Sequence, residues 1–347
     1  MSAGRIESVD LRQSLITAAS CWLAAMFVFF FHCDNPWWGV ISAWVISSAD
    51  FHQSSLKAML RVAGTLAGYF VGLVCASVTE GEPIWQALVL FLIGAIGMSM
   101  RFRSRFSYAW IIGSATALIL MVLDLTDPGS IYETAEYRLY EIISGVVAAW
   151  LCARLLRPLL GLSSGGRQTE SAGAGSSTDL TPSELKMLIM VGGLVPVITT
   201  LLWSWLHLPS LVQAIVTALV TLDRNIASAQ IRVTRRVLGC VLGGAVGLVA
   251  VELATSSLFA WSVILFGGIF LFSRLHLSTG RFSYVGTQAG VAFILAMVTG
   301  NNPPDTIGPV IGRIAGMTGG VLVVGSVCFV LKAWMDRAAT GVSGVTK

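Results

Sequence analysis

Arg61 to Val74 reads RVAGTLAGYFVGLV, and Arg236 to Val249 reads RVLGCVLGGAVGLV. The two stretches lie 175 residues apart and agree at eight of fourteen positions. Glycine returns every fourth residue in both, as Gly64, Gly68 and Gly72, then as Gly239, Gly243 and Gly247. That spacing keeps small side chains on one helix face, where a neighbouring helix can approach closely. Further landmarks keep the same order and register. The tetrapeptide RFSY at Arg105–Tyr108 returns at Arg281–Tyr284, Arg138 matches Arg313, and Gly145 matches Gly320. The chain is therefore one unit written twice. The glycine stripe serves packing, and it is also a natural place for the two copies to touch.

The 347 residues are 55% hydrophobic and only 12% charged, with a mean hydropathy of +0.79. Soluble domains carry about 25% charged residues, so this composition excludes that class. Apolar runs long enough to cross a bilayer recur along the chain. The predicted fold class is an all-α integral membrane protein of about twelve helical segments. These form two parallel six-helix repeats related by a pseudo-two-fold axis along the membrane normal. The first copy should hold helices at Leu15–Phe31, Trp37–Ala49, Leu60–Val78, Ile84–Met100, Phe106–Leu123 and Tyr137–Leu156. The second should hold them at Leu185–Leu206, Leu211–Leu222, Val237–Ala254, Phe259–Phe272, Phe282–Val298 and Ile307–Leu331. The expected organisation is a first repeat over 1–162, a flexible cytoplasmic Gly/Ser linker over 163–182, a second repeat over 183–337 and a cytoplasmic tail over 338–347. The apolar run from Ser14 to Phe31 reads as a retained first helix rather than a cleaved signal.

Lysine and arginine set the expected topology. With both termini in the cytoplasm and six crossings per copy, Arg5, Lys57, Arg61, Arg101, Arg157, Arg236 and Lys332 all face inward, as do most other basic residues. Glu80, Glu82, Asp124, Asp127, Glu133 and Asp305 face outward. Only Arg138 and Arg313 remain for the outer half. The predicted location is the bacterial inner membrane. The net charge of +4 carries no nucleic-acid signal, because the basic residues sit in short loops between apolar runs.

Arg138 and Arg313 are the sharpest chemical signal. A guanidinium inside an apolar run costs about 2–3 kcal/mol or more unless it meets a partner or a wet cavity. Glu141 lies three residues from Arg138, on the same helix face, and can neutralise it. Arg313 has no such neighbour, so a structural ion pair does not explain both. The pair is expected to line a polar path and attract a carboxylate; snorkelling outward is the alternative. Arg61 and Arg236 stand one turn before the glycine stripes, either as inner-surface anchors or as a charged mouth that collects anions.

The second helix of each copy is short. Trp37–Ala49 spans only about 20 Å of a core about 30 Å thick. Pro36 and Pro209 introduce the two short helices. Short helices at matching positions of two repeats point to a binding site near the midplane, and their N-termini suit an anion. Trp37 and Trp38 offer stacking on a ring, or belong to an interface belt. Asp50 and Asp223 end these helices as candidate proton-coupling carboxylates, or as helix ends held by nearby Lys57 and Arg224. Arg105 and Arg281 fit the inward-facing basic pattern, while Tyr108 and Tyr284 add hydroxyls just inside the membrane. The six cysteines are scattered, with no metal-ligand spacing, and neither metal nor cofactor is expected.

The motif Arg61-x-x-Gly64-Thr65-x-x-Gly68-x-x-x-Gly72, following a short helix introduced by Pro36, resembles the fusaric acid resistance protein-like family. Arg236-x-x-Gly239-x-x-x-Gly243-x-x-x-Gly247 is the second version, with Cys240 where the first has Thr65. The resemblance spans nearly the whole chain. That family includes bacterial aromatic acid exporters and is distantly similar to plant aluminium-activated malate transporters. It implies export of organic anions, often aromatic carboxylates, in some members with a periplasmic adaptor protein.

Together these readings predict a transporter rather than an enzyme. It would export small organic anions, best aromatic carboxylic acids, along a path between the repeats, driven by the proton motive force. The alternatives are a passive organic-anion channel and a non-transporting scaffold subunit of an efflux assembly. Partners are expected to be the anions, the lipid bilayer and an adaptor, not nucleic acid.

Overall fold

The structure, a computed structural model, describes residues 11–33, 35–47, 51–162, 181–206, 208, 210–222, 226–254, 257–278, 280, 282–300 and 308–343. The described residues contain no strand. The helices in order are α1 (Leu11–Phe30), α2 (Trp37–Ile46), α3 (Phe51–Thr79), α4 (Pro83–Arg103), α5 (Ser107–Thr126), α6 (Ile131–Leu159), α7 (Pro182–Leu206), α8 (Leu211–Thr221), α9 (Ile226–Leu253), α10 (Leu258–His276), α11 (Ser283–Met297) and α12 (Gly308–Ser343). A single 3₁₀ turn, Pro128–Ser130, joins α5 to α6.

Among the described residues, nine helices are long and apolar enough to cross a membrane. The shorter apolar helices are α2, α8 and α11. The twelve expected segments are thus all helical, but not all of them are spans. α2 has ten residues, about 15 Å, because Ser47 leaves the helical conformation well before Ala49. α12 runs to Ser343, beyond the expected end at Leu331. Phe30, Ile84, Trp205 and Phe329 are each more than three-quarters exposed. Such apolar surface belongs against lipid rather than water. The linker expected over 163–182 falls almost wholly outside the described residues, apart from Thr181 and Pro182 at the start of α7.

The helices gather into two compact units, and neither unit is one copy of the repeat. The first takes α1, α2, α6 and the start of α3 together with α10, α11 and most of α9. The second takes α4, α5 and the rest of α3 together with α7, α8 and most of α12. The boundary at 163–182 therefore follows the covalent repeat, while side-chain packing mixes the copies.

In the first unit, α1 buries Ala18, Cys21, Ala24, Ala25 and Val28 at three- and four-residue spacing. These small residues let α2 and α10 come close. The core is anchored by Trp44 of α2, Trp261 of α10 and Phe293 of α11, all fully buried. Both indoles are satisfied: Trp44 Nε1 donates to the Thr287 carbonyl at 3.2 Å, and Trp261 Nε1 donates to the Met297 carbonyl at 2.8 Å. Gly290 leaves the space that the Trp44 ring fills. In the second unit, α4 packs on α5 and α7, and α8 on α5 and α7. The Gly94 and Gly192 backbones meet where α4 crosses α7. Arg101 Nη1 donates to the Leu219 carbonyl at 2.9 Å, capping the end of α8 with a cation.

The glycine stripes pack within their own copies, not between them. Gly64, Gly68 and Gly72 face Ala109, Gly113 and Leu120 of α5. Gly239, Gly243 and Gly247 face Val285, Ala289 and Ala296 of α11. The expectation that the stripe joins the copies is corrected. The fifth helix of each copy is also lined by small residues, and it lies one helical hairpin away in the chain. The contact of α2 on α6, where Gly145 abuts the Gly39 carbonyl, likewise returns 175 residues later as Gly320 on Ala214.

Candidate functional site

Five charged side chains are buried among the described residues: Arg61, Arg138, Arg157, Arg236 and Glu141. All five lie in the first unit. Four cations against one anion leave a formal excess of three positive charges inside an apolar body. A buried ion costs several kcal/mol unless it is compensated, so the excess marks a place built for anions.

Three of the four guanidiniums follow α2 from end to end. At its start, the Asn35 N–H donates to Glu141 Oε1 at 2.9 Å. One of the free amides at the head of α2 is thus taken by a carboxylate from α6. The expectation that this end stands open for a substrate anion is refined: the chain's own anion already sits there, as the partial positive charge of a helix N-terminus favours. Glu141 also acts electrostatically on Arg138, whose guanidinium carbon lies 4.2 Å from the centre of the Trp38 ring. Desolvated stacking of this kind contributes about 2 kcal/mol. Arg138 Nε is buried and makes no hydrogen bond.

Midway along α2, Arg61 Nε donates to Ser42 Oγ at 2.9 Å, and Ser42 Oγ donates to the Trp38 carbonyl at 2.6 Å. Arg61 also lies within electrostatic reach of Arg138. The close approach of Gly39 and Gly145 brings α6 near enough for Arg138 and Trp38 to meet. Past the end of α2, Ile46 and Ser47 border a cleft that Arg157 also lines. The arrangement gives a carboxylate forks to bind, an indole face, and few competing acids.

A family model described as fusaric acid resistance protein-like matches residues 23–152 and 197–331, one segment on each copy. The chain belongs to the fusaric acid resistance protein-like family. As a member of that family it is a multi-pass membrane protein. It is 30% identical over 157 residues to the uncharacterized transporter YdhK of Salmonella typhimurium, covering 43% of this chain and 22% of that one. It is 28% identical over 144 residues to YdhK of Escherichia coli K12, covering 40% and 21%. It is 26% identical over 164 residues to the p-hydroxybenzoic acid efflux pump subunit AaeB of Enterobacter cloacae, covering 44% and 25%. The chain spans about a quarter of the length of the curated relatives it matches. No solved structure matches it.

For this family member, the structure brings Arg61, Arg138 and Trp38 together around α2. Trp37 is half-buried against the core of the same unit. Arg236 is buried on α9, and Tyr284 is half-buried on α11. Arg105 and Tyr108 lie in the other unit, at the head of α5. Arg105 is exposed, with its guanidinium 4.6 Å from the Phe106 ring centre, and Tyr108 is half-buried. Asp50, Asp223 and Arg281 lie outside the described residues, and Arg313 is placed on α12 by its backbone alone.

Three features escape a reading of the sequence. Ser42 receives Arg61 from a helix nineteen residues on. Gln13 meets Arg157 across 144 residues. His276 stacks on Trp44 at 4.6 Å, with Nδ1 2.8 Å from Thr287 Oγ1. Only Arg157 left any trace, as one basic residue near the end of an apolar run, where it resembles an ordinary surface anchor.

Proposed function

We propose that this protein is an inner-membrane exporter of small organic anions, best aromatic carboxylic acids, driven by the proton motive force. The observation that carries the reading is the row of buried guanidiniums along α2, with one buried carboxylate against them. A monocarboxylate entering this row meets bidentate donors at Arg61 and Arg138 and the Trp38 face for its ring. The printed name of AaeB, with p-hydroxybenzoic acid, favours an aromatic ring on the anion. Two parallel repeats with a pseudo-two-fold axis along the membrane normal, and both termini in the cytoplasm, complete the reading. The contacts that recur 175 residues apart support the repeat part of it. Asp50 and Asp223 are the proposed proton-coupling carboxylates, with Arg313, Arg236, Arg281 and Tyr284 as second-copy contributors.

The test is transport by purified protein in proteoliposomes, offering labelled 4-hydroxybenzoate, a second aromatic acid and malate, with and without a pH gradient. Accumulation above equilibrium that collapses with an uncoupler is expected. Downhill flux with an electrical current and no accumulation would replace the exporter by a channel. A second reading follows from the word subunit in the name of AaeB. In it the chain is a scaffold that needs a periplasmic adaptor, and flux would appear only after an adaptor is added.

A further inference from the structure

The cleft beyond α2 has no role in the reading so far. It lies wholly within the first unit and has a volume of about 400 Å³ counting its open mouth. Arg157 and Gln13 stand in its wall, both more than nine-tenths buried, and Arg157 Nη2 donates to Gln13 Oε1 at 3.1 Å. That bond orients Gln13 so that its amide N–H₂ is the end left for a ligand. Ser47, Ser54 and Ser55 add hydroxyls, and Trp150 with aliphatic neighbours supplies the apolar wall. No acid lines the cleft.

Two observations separate this cleft from ordinary packing. The last turn of α6 is closed without the Arg157 side chain. Gly161 takes a left-handed conformation, the Leu162 N–H bonds the Arg157 carbonyl at 3.0 Å, and Arg12 Nη1 caps the Leu160 carbonyl at 2.8 Å. The repeat also does without the pair. An offset of 175 carries Arg157 to Lys332, which is exposed, and Gln13 to Leu188, which is buried. The second copy builds the same helices with no buried cation there.

We infer that the Arg157–Gln13 cleft is a binding site for the carboxylate of a small organic anion with a compact apolar body. Arg157 grips the carboxylate, Gln13 donates beside it, and the serines take a second polar group such as a ring hydroxyl. Arg157 and Arg138 lie 19 residues apart on α6, roughly 28 Å along its axis, at opposite ends of α2. The cleft is then a second station on the same anion route. Its place in a route rests on the transport proposal, but binding in the cleft does not.

The experiment puts a cysteine at Ala58, in the cleft wall, and follows its modification by an anionic and a cationic methanethiosulfonate of similar size. The parent protein, with its six native cysteines, is the control. After normalising to a free thiol, the anionic reagent should be the faster. Saturation with 4-hydroxybenzoate at about four times its Kd should slow both roughly fivefold. Arg157→Gln should abolish the bias and the protection, and Arg157→Lys should restore the bias while leaving protection weak. Unchanged modification with and without the acid, in the variant that keeps Arg157, overturns the site without any Arg157 variant. Protection that persists in Arg157→Gln overturns it as well. Protection with no transport in proteoliposomes would sink the transport proposal and leave this site standing.

Discussion

Arg138 and Glu141 form a pair in which each side chain has a second task. Glu141 accepts the Asn35 N–H at the head of α2, and Arg138 lies over Trp38. Glu141→Gln keeps a hydrogen-bond acceptor but removes the charge. Breaking a buried pair in this way costs about 3–5 kcal/mol, so the variant should melt at a lower temperature than the parent. A carboxylate ligand can replace the missing charge. Added 4-hydroxybenzoate should therefore raise the melting temperature of Glu141→Gln more than that of the parent, by thermal-shift assay. Equal shifts would mean that the ligand does not reach Arg138. Arg138→Lys tests the same residue from the other side. It keeps the charge but loses the planar fork and the stacked contact, so uptake kinetics should show a raised KM. The sequence made the Arg138–Glu141 neighbourhood legible, because three residues on a helix fix it. Ser42 beneath Arg61 and Gln13 beside Arg157 were not legible, since both contacts join helices whose mutual placement no local pattern encodes.

α3 and α5 show how an element is fixed by absence of side chain. A Cβ at Gly68 would run into the Gly113 carbonyl and Thr116. Gly68→Leu should destabilise the fold by about 1–3 kcal/mol or more through forced separation of the two helices. Gly325 on α12 is the control, because nothing lies within 4 Å of a Cβ there. Gly325→Ala should be neutral or stabilising by up to about 1 kcal/mol through helix propensity alone. Thermal unfolding in detergent compares the two, and equal effects would deny the close contact. Fourfold glycine spacing announced a close approach on this face. The identity of the neighbour was hidden, because any helix with a small-residue surface satisfies the spacing. Ala109 and Gly113 on α5 decide it. The length of α2 was also only partly readable: Asn35-Pro36 marks its start, but the bend at Ser47 follows no proline or glycine.

For the whole molecule, the composition of the two units matters more than the line between the copies. Each unit needs helices from both halves. A chain cut within 163–182 should therefore reassemble when 1–162 and 183–347 are made together, and neither half should be stable alone. Affinity capture of one half, reading recovery of the other, checks this. Two halves that purify separately as folded species would contradict it.

The same interleaving imposes a timetable on synthesis. α1 ends at Phe30, and α10, against which it packs, begins at Leu258. At about 5–20 residues per second, the ribosome needs roughly 10–50 seconds to supply that neighbour. For that interval Gln13, Ser14, Thr17 and Ser20, all buried in the finished protein, belong to a helix still waiting for part of its packing. The newborn first half must be sheltered in the bilayer until the second half arrives to complete it.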